Sequence, residues 1–274
     1  MRDTGGVDIE RHVSAEMTAQ VTPGTDVALL IAVAPGTPCR REELEVQLNG
    51  VAVDVHEASD PLGNRLHVIR GLAGGLLSIR YAAGGVGTGP LPSVDDVDDV
   101  VHRRPSRYCE VDEFGAPAAE IVGELSGDAA VRAVVDWVAS HLDYVPGSST
   151  VLDSARTTYL SRQGVCRDYA HVTTTLLRAA GIPARCTSVY APGLSPMDFH
   201  LVVEALVDGQ WQVVDATHLA PRASMVRIAS GADASETAFM TTLEGDVQLQ
   251  TMRVMATVDP ELPVDVPHER VILR

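Results

Sequence analysis

Cys166, His200 and Asp215 are the residues whose types and settings point to chemistry. Cys166 lies in Gly164-Val165-Cys166-Arg167-Asp168-Tyr169-Ala170-His171, at the start of a segment that reads as a helix to Ala180, with Gly181 as its stop and Pro183 just beyond. The first N–H groups of a helix have no partner inside it and carry partial positive charge. They favour thiolate over thiol, and the thiolate is the nucleophile. The same groups can donate to an oxyanion. Gly164, lacking a side chain, permits a tight approach to the helix. A cysteine that opens a helix is, taken alone, more often a small buried apolar residue. The chemistry therefore needs a base to move the proton and a carboxylate to orient that base.

His200 and Asp215 meet this need through register. Asp208-Gly209 is a hairpin turn between two β-rich runs. With those two residues as the loop, Val207 faces Gln210, Val202 faces Asp215 and His200 faces Thr217. Side chains alternate faces along a strand. Asp215 thus shares a face with Val202 and with its diagonal neighbour His200, at a spacing of ~7–8 Å or less between Cβ atoms that an imidazole–carboxylate hydrogen bond can bridge. A slip of one residue would put the two on opposite faces.

The remaining candidates read as structural. His171, five residues after Cys166, is a helix-flank residue turned off that face. Asp215-x-x-His218 has the look of a metal pair, but no third ligand has sensible spacing, and His218 reads as a loop residue. No metal or cofactor site is expected. A metalloenzyme built on Cys166, His171 and His200 is the weakest reading. Cys109 and Cys186 read as structural or incidental. Gly84 to Pro90 matches a bare GxG, but no helix follows it, so it reads as a flexible loop. Asp95 to Asp99 lacks the spacing, Gly and Glu of a calcium loop and reads as solvated linker.

The elements that position these residues follow from pattern. Val131, Val134, Val135, Val138 and Leu142 recur at helical spacing, with Asp128 placed to cap the start and Trp137 near the buried stripe. Ser154 to Arg162 reads as a short helix. The first 92 residues read as β: an apolar run at Val27 to Val33, a hairpin through Asn49-Gly50 that sets Leu48 opposite Val51 and Val46 opposite Val53 on one apolar face, and further strands at 65–69 and 77–81. Thr251 to Val258 alternates as a strand near the end. The expected organisation is a β domain at 1–92, a linker at 93–115 and a core at 116–274 that includes the C-terminal strands.

Composition limits the partners. The net charge of −16 argues against a binder of nucleic acid or of anionic membrane, both of which need clustered positive charge. Aromatics at 4% leave too few rings for a base-stacking surface. No apolar run approaches the ~18 residues of a membrane span. Met1 to Gly6 contains no apolar segment of a secretory signal. The four cysteines show no CxxC spacing. A cytoplasmic protein with reduced thiols is expected.

These residues resemble bacterial transglutaminase-like proteins, a branch of the papain-like cysteine enzymes. The matching blocks, in order, are Gly164 to His171, Leu177-Arg178-Ala179-Ala180-Gly181-Ile182-Pro183-Ala184-Arg185, Asp198-Phe199-His200, and Gly209-Gln210-Trp211-Gln212-Val213-Val214-Asp215-Ala216-Thr217. Many members place a small residue and then Trp after the histidine, where this chain has Leu201 and Val202. The resemblance implies an α+β fold, with a Cys-bearing helix packed on an antiparallel sheet that bears His and Asp, and a β-sandwich-like N-terminal domain. It implies Cys166 as nucleophile, His200 as general base and acid, and Asp215 as the orienting acid. The activity implied is acyl transfer from a peptide or protein amide through a thioester, cleared by water in preference to an amine. Gln163 and Tyr159 both remain open as the second oxyanion donor. The alternative is a non-catalytic module that binds a peptide or acyl group on the same fold.

Overall fold

The computed structural model describes residues 9–274, so the reading of Met1 to Gly6 lies outside the described residues. In β1 (Glu10–Val21), Val13, Ala15, Met17, Ala19 and Val21 alternate with polar residues and are buried. β2 (Thr25–Leu29) begins the expected apolar run, which continues buried through Val33. β3 (Arg41–Leu48) turns through Asn49 and Gly50, at φ of 52° and 81°, into β4 (Val51–Ala52). Leu48 pairs with Val51, but Val51 is exposed because β4 is a two-residue edge strand. β5 (His56–Ser59), β6 (Arg65–Leu72) and β7 (Gly75–Val86) follow. Gly84 and Gly85 belong to β7 rather than to a loop. Gly84 pairs with His12 and Arg41, and Gly85, at φ 63°, occupies the register shift beside Arg11.

The expected linker at 93–115 is instead packed. Asp95 caps α1 (Asp96–Val101), accepting from the Val97 and Asp98 N–H groups, while Asp98 accepts from the Asp95 N–H. Acids at a helix start satisfy unpaired donors and suit the dipole, which is why the acidic run folds. Beyond it His102, Cys109 and Phe114 are buried, and the His102 carbonyl accepts from the Ala184 N–H at 3.0 Å.

α2 (Gly115–Val122) leads to α3 (Gly127–His141), whose Val131, Val134, Val135 and Val138 are buried as the spacing predicts. Asp128 does not cap α3. Ser126 holds that position, and the Asp128 carboxylate accepts instead from Gln212 at 2.9 Å and Arg270 at 2.6 Å. Trp137 is half-buried, stacked on His141 and Tyr159. β8 (Asp143–Tyr144), α4 (Ala155–Ser161) and β9 (Gln163–Gly164) come next, with β8 and β9 paired in parallel. α5 (Cys166–Ala179) runs through the core with every side chain from Asp168 to Arg178 buried.

β10 (Ala184–Tyr190), β11 (Phe199–Val207), β12 (Gln210–Val214) and β13 (Val226–Gly231) form an antiparallel sheet in the order β12-β11-β10-β13, against which α5 packs. After α6 (Ala234–Thr237), β14 (Met240–Glu244) and β15 (Val247–Asp259) return to the β unit. They complete its two sheets, β15-β1-β7-β3-β4 and β14-β2-β6-β5. Residues 240–259, grouped with the core by sequence order, thus pair with β1 and β2, because the alternating Val254 and Ala256 continue the buried face of β1. Tyr190, Val226, Ile228 and Ala229 of the core sheet join the sandwich's apolar cluster. The Asn64 amide ties the two units together, donating to the Ser230 carbonyl at 2.8 Å and accepting from its N–H at 2.9 Å.

Candidate active site

Cys166 is the first residue of α5, preceded by Val165 at the N-cap. The turn is fixed by Asp168, whose fully buried carboxylate accepts from the Val165 N–H at 2.8 Å, the Ser149 hydroxyl at 2.5 Å and the Arg167 guanidinium at 2.9 Å. Its neighbour Gly164 leaves the room this needs: a Cβ there would lie 2.5 Å from the Asp168 Cβ.

His200 is the second residue of β11, and Asp215 directly follows β12. Asp208 and Gly209, at φ of 52° and 71°, make the turn between them. Pairing runs from Val207 with Gln210 to Val203 with Val214, the register set by that turn. His200 Nε2 and Asp215 Oδ2 lie 2.8 Å apart, both side chains nearly inaccessible. The other Asp215 oxygen accepts from the Thr217 N–H at 2.9 Å and its hydroxyl at 2.7 Å.

Burial alone would drive the His200 imidazole toward neutrality. The Asp215 charge and hydrogen bond, with the Cys166 sulfur close by, outweigh it and raise the pKa to about 10. In turn, burial raises the Asp215 carboxyl, but the His200 charge and the bonds from His200 and Thr217 hold it below its ordinary value. His200 Nδ1 is buried and makes no hydrogen bond of ordinary geometry. The structure therefore brings Cys166, His200 and Asp215 together.

Cys166 and His200 open onto a cleft of about 620 Å³, lined from the core by Phe199 and Leu201 and from the β unit by Leu30, Met240 and Met252. Two residues here were given no role from the sequence. The Tyr144 hydroxyl lies beside the Cys166 backbone N–H and sulfur; burial and then the sulfur's charge push its pKa up to about 12, against the N–H. It gets there because β8 pairs with β9, setting Tyr144 opposite Gly164, and nothing local in the chain announces a two-residue strand pair. Asp198 lines the cleft beside His200, and burial raises its carboxyl above the ordinary value. Its place just before the histidine was the available signal.

Other expectations resolve differently. His171 is not a flank residue. It is fully buried, its Nε2 accepts from the Ala234 N–H at 3.2 Å, and its ring stacks on Tyr108. The cause is the packing of α6 and residues 106–109 over α5, which no helix periodicity could reveal. His218 is exposed in the turn after Asp215. Cys109 and Cys186 are buried as free thiols. Tyr159 is engaged by Phe114 and Trp137, and Gln163 is exposed. Among the described residues, no group of three or more His, Cys, Asp or Glu side chains is arranged to hold a metal ion. None of the helices there is long and apolar enough to cross a membrane.

Residues 116–216 match the family model of the transglutaminase-like superfamily. An uncharacterized protein of Mycobacterium leprae (strain TN) is 36% identical over 98 residues, a match that covers 35% of this chain and 34% of that protein. This chain thus spans about a third of that relative's length. A crystal structure of a candidate cysteine protease from Cytophaga hutchinsonii matches with a TM-score of 0.87 and 27% identity, covering 98% of this chain and 97% of that one. The similarity to that structure takes in the β unit as well as the core, and residues 116–216 are the part that carries the match to the transglutaminase-like superfamily.

Proposed function

We propose that the protein is a cysteine-dependent acyl-transfer enzyme that acts on peptide or protein amides through a thioester. The observation that carries this reading is the tautomer-fixing bond from His200 to Asp215. With Nε2 committed to Asp215 Oδ2, Nδ1 is the nitrogen left to exchange a proton with the Cys166 sulfur.

In the first step the Cys166 thiolate bonds to the amide carbonyl carbon, and the C=O electron pair moves onto oxygen. In this reading the Cys166 N–H at the helix start donates to that oxyanion, and the Tyr144 hydroxyl beside it, released from accepting that N–H, turns to donate as well. Collapse breaks the C–N bond, and the His200 imidazolium gives its proton to the departing amine. The neutral imidazole then takes a proton from water, which attacks the thioester and releases the acid and the thiolate. Hydrolysis is favoured over transfer to an amine, a preference supported by the similarity to the candidate cysteine protease.

The test is a screen of peptide amides, with and without a primary amine, against wild type and Cys166→Ala. Turnover that needs Cys166 supports the reading, and amine incorporation in place of hydrolysis would move it to transfer. Binding of peptide with no turnover would favour the non-catalytic module.

A further inference from the structure

The cleft onto which Cys166 opens has an apolar lining supplied by the core sheet and by the C-terminal strands of the β unit. Phe239 directly precedes β14, Met240 opens it, Met252 comes from β15, and Phe199 directly precedes His200. Phe199 and Phe239 stack with centroids 5.2 Å apart and planes 15° from parallel. The Leu30 N–H holds the Phe239 carbonyl at 3.0 Å, and the Asp233–Tyr108 and His171–Ala234 bonds tie the adjoining α6 wall to the core.

These apolar side chains are not closed off. Phe199, Phe239 and Met240 are half-buried, and Met252 is 36% exposed, although each lines a concavity rather than open surface. A half-exposed apolar wall inside a cleft gains free energy when a ligand's apolar group removes it from water. Methionines on two of the strands let the wall adapt to different side-chain shapes. The charged groups that line the cleft are Arg107, Arg167 and Asp198. Arg107 is engaged over Tyr108, and Arg167 is bound to Asp168.

We infer that Phe199, Phe239, Met240 and Met252 form a specificity pocket that selects substrates with a bulky apolar side chain beside the reacting amide. The inference rests on the proposed acyl-transfer reading for what is bound, but it can be tested without turnover. Chloroacetyl derivatives of leucine amide, phenylalanine amide, glutamate amide and lysine amide alkylate a thiol by displacement of chloride. Each rate at Cys166, read by peptide mass mapping, is divided by that variant's own rate with chloroacetamide.

The expected result is that the leucine and phenylalanine reagents react at least about 10-fold faster, relative to chloroacetamide, than the glutamate and lysine reagents. Met252→Glu should cut that ratio to about threefold or less. Met240→Lys, on the other strand, serves the same purpose should the first variant fold poorly. Equal relative rates for the four reagents, or faster reaction of the charged pair, would overturn the pocket while leaving the thioester reading to stand or fall on amide turnover.

Discussion

Gly164 and Asp168 are in contact across the first turn of α5: a Cβ at position 164 would meet the Asp168 Cβ at 2.5 Å and its Oδ2 at 2.9 Å. Asp168 is fully buried and holds the Val165 N–H, Ser149 and Arg167. The smallest side chain is therefore a requirement for placing Cys166. Gly164→Ala should cost about 1–3 kcal/mol of stability and lower amide turnover by more than its effect on folding explains. Denaturant unfolding and kcat on the folded fraction give the two numbers. A variant with wild-type stability and turnover would show that the contact is not needed.

The His200–Asp215 pair predicts an unusual titration. With a folded pKa of about 10, above the ordinary histidine value of about 6.5, His200 contributes stability that is complete below about pH 6.5 and is lost as pH rises through about 10. Asp215, held low, contributes above its unfolded value near 3.9 and loses that contribution as pH falls. The pair should stabilise the fold most between roughly pH 4 and 6.5. The His200 ring-proton NMR shift should move with a midpoint near 10. In Asp215→Asn that midpoint should drop, and kcat should fall about 10²–10⁴-fold. A wild-type midpoint near 6.5 would contradict the geometry's electrostatics.

Tyr144 is expected to act on the oxyanion. Its pKa of about 12 keeps the hydroxyl protonated and able to donate across the working pH range. Tyr144→Phe should lower kcat by about 10²-fold with little change in KM. An unchanged kcat would remove Tyr144 from the site.

Glu204 is a structural charge at the centre of the core sheet. It is fully buried among Arg185, Arg227 and Thr187, with Arg185 stacked on Trp211 at 4.1 Å. Burial raises its carboxyl, but the two guanidinium charges prevail and lower the pKa to about 2. Its stabilisation is present above the unfolded value of about 4.3 and is lost as pH falls through about 2. Glu204→Gln should cost about 3–5 kcal/mol at pH 7, with the gap to wild type closing toward pH 2. Unfolding curves that stay parallel from pH 7 to pH 2 would contradict this.

The parts of the site that local rules control were legible in the sequence. Asp208-Gly209 fixes a two-residue turn, the turn fixes register, and register puts His200 and Asp215 on one face. The helix starting at Cys166 follows from its pattern and from Gly181 beyond it. What stayed hidden depends on partners distant in the chain. Tyr144 reaches Cys166 through a parallel bridge to Gly164, and Met240 and Met252 reach the cleft because β14 and β15 pair with β2 and β1. Asp95 to Asp99 misled for another reason: the same carboxylates that read as solvated charge are also the best helix-capping groups. Asp128 erred the opposite way, since a capping residue type at a helix start was taken by Gln212 and Arg270 instead.

The central claim is a covalent acyl–sulfur bond, and it is tested most directly by mass spectrometry of enzyme quenched in acid within milliseconds of mixing with a peptide amide. The account predicts a peptide containing Cys166 heavier by the acyl group, absent in Cys166→Ala, and longer-lived in His200→Ala when a p-nitrophenyl ester is used to load the thiol. Turnover of the amide with no adduct on Cys166 at any quench time, together with equal activity of Cys166→Ala, would contradict it.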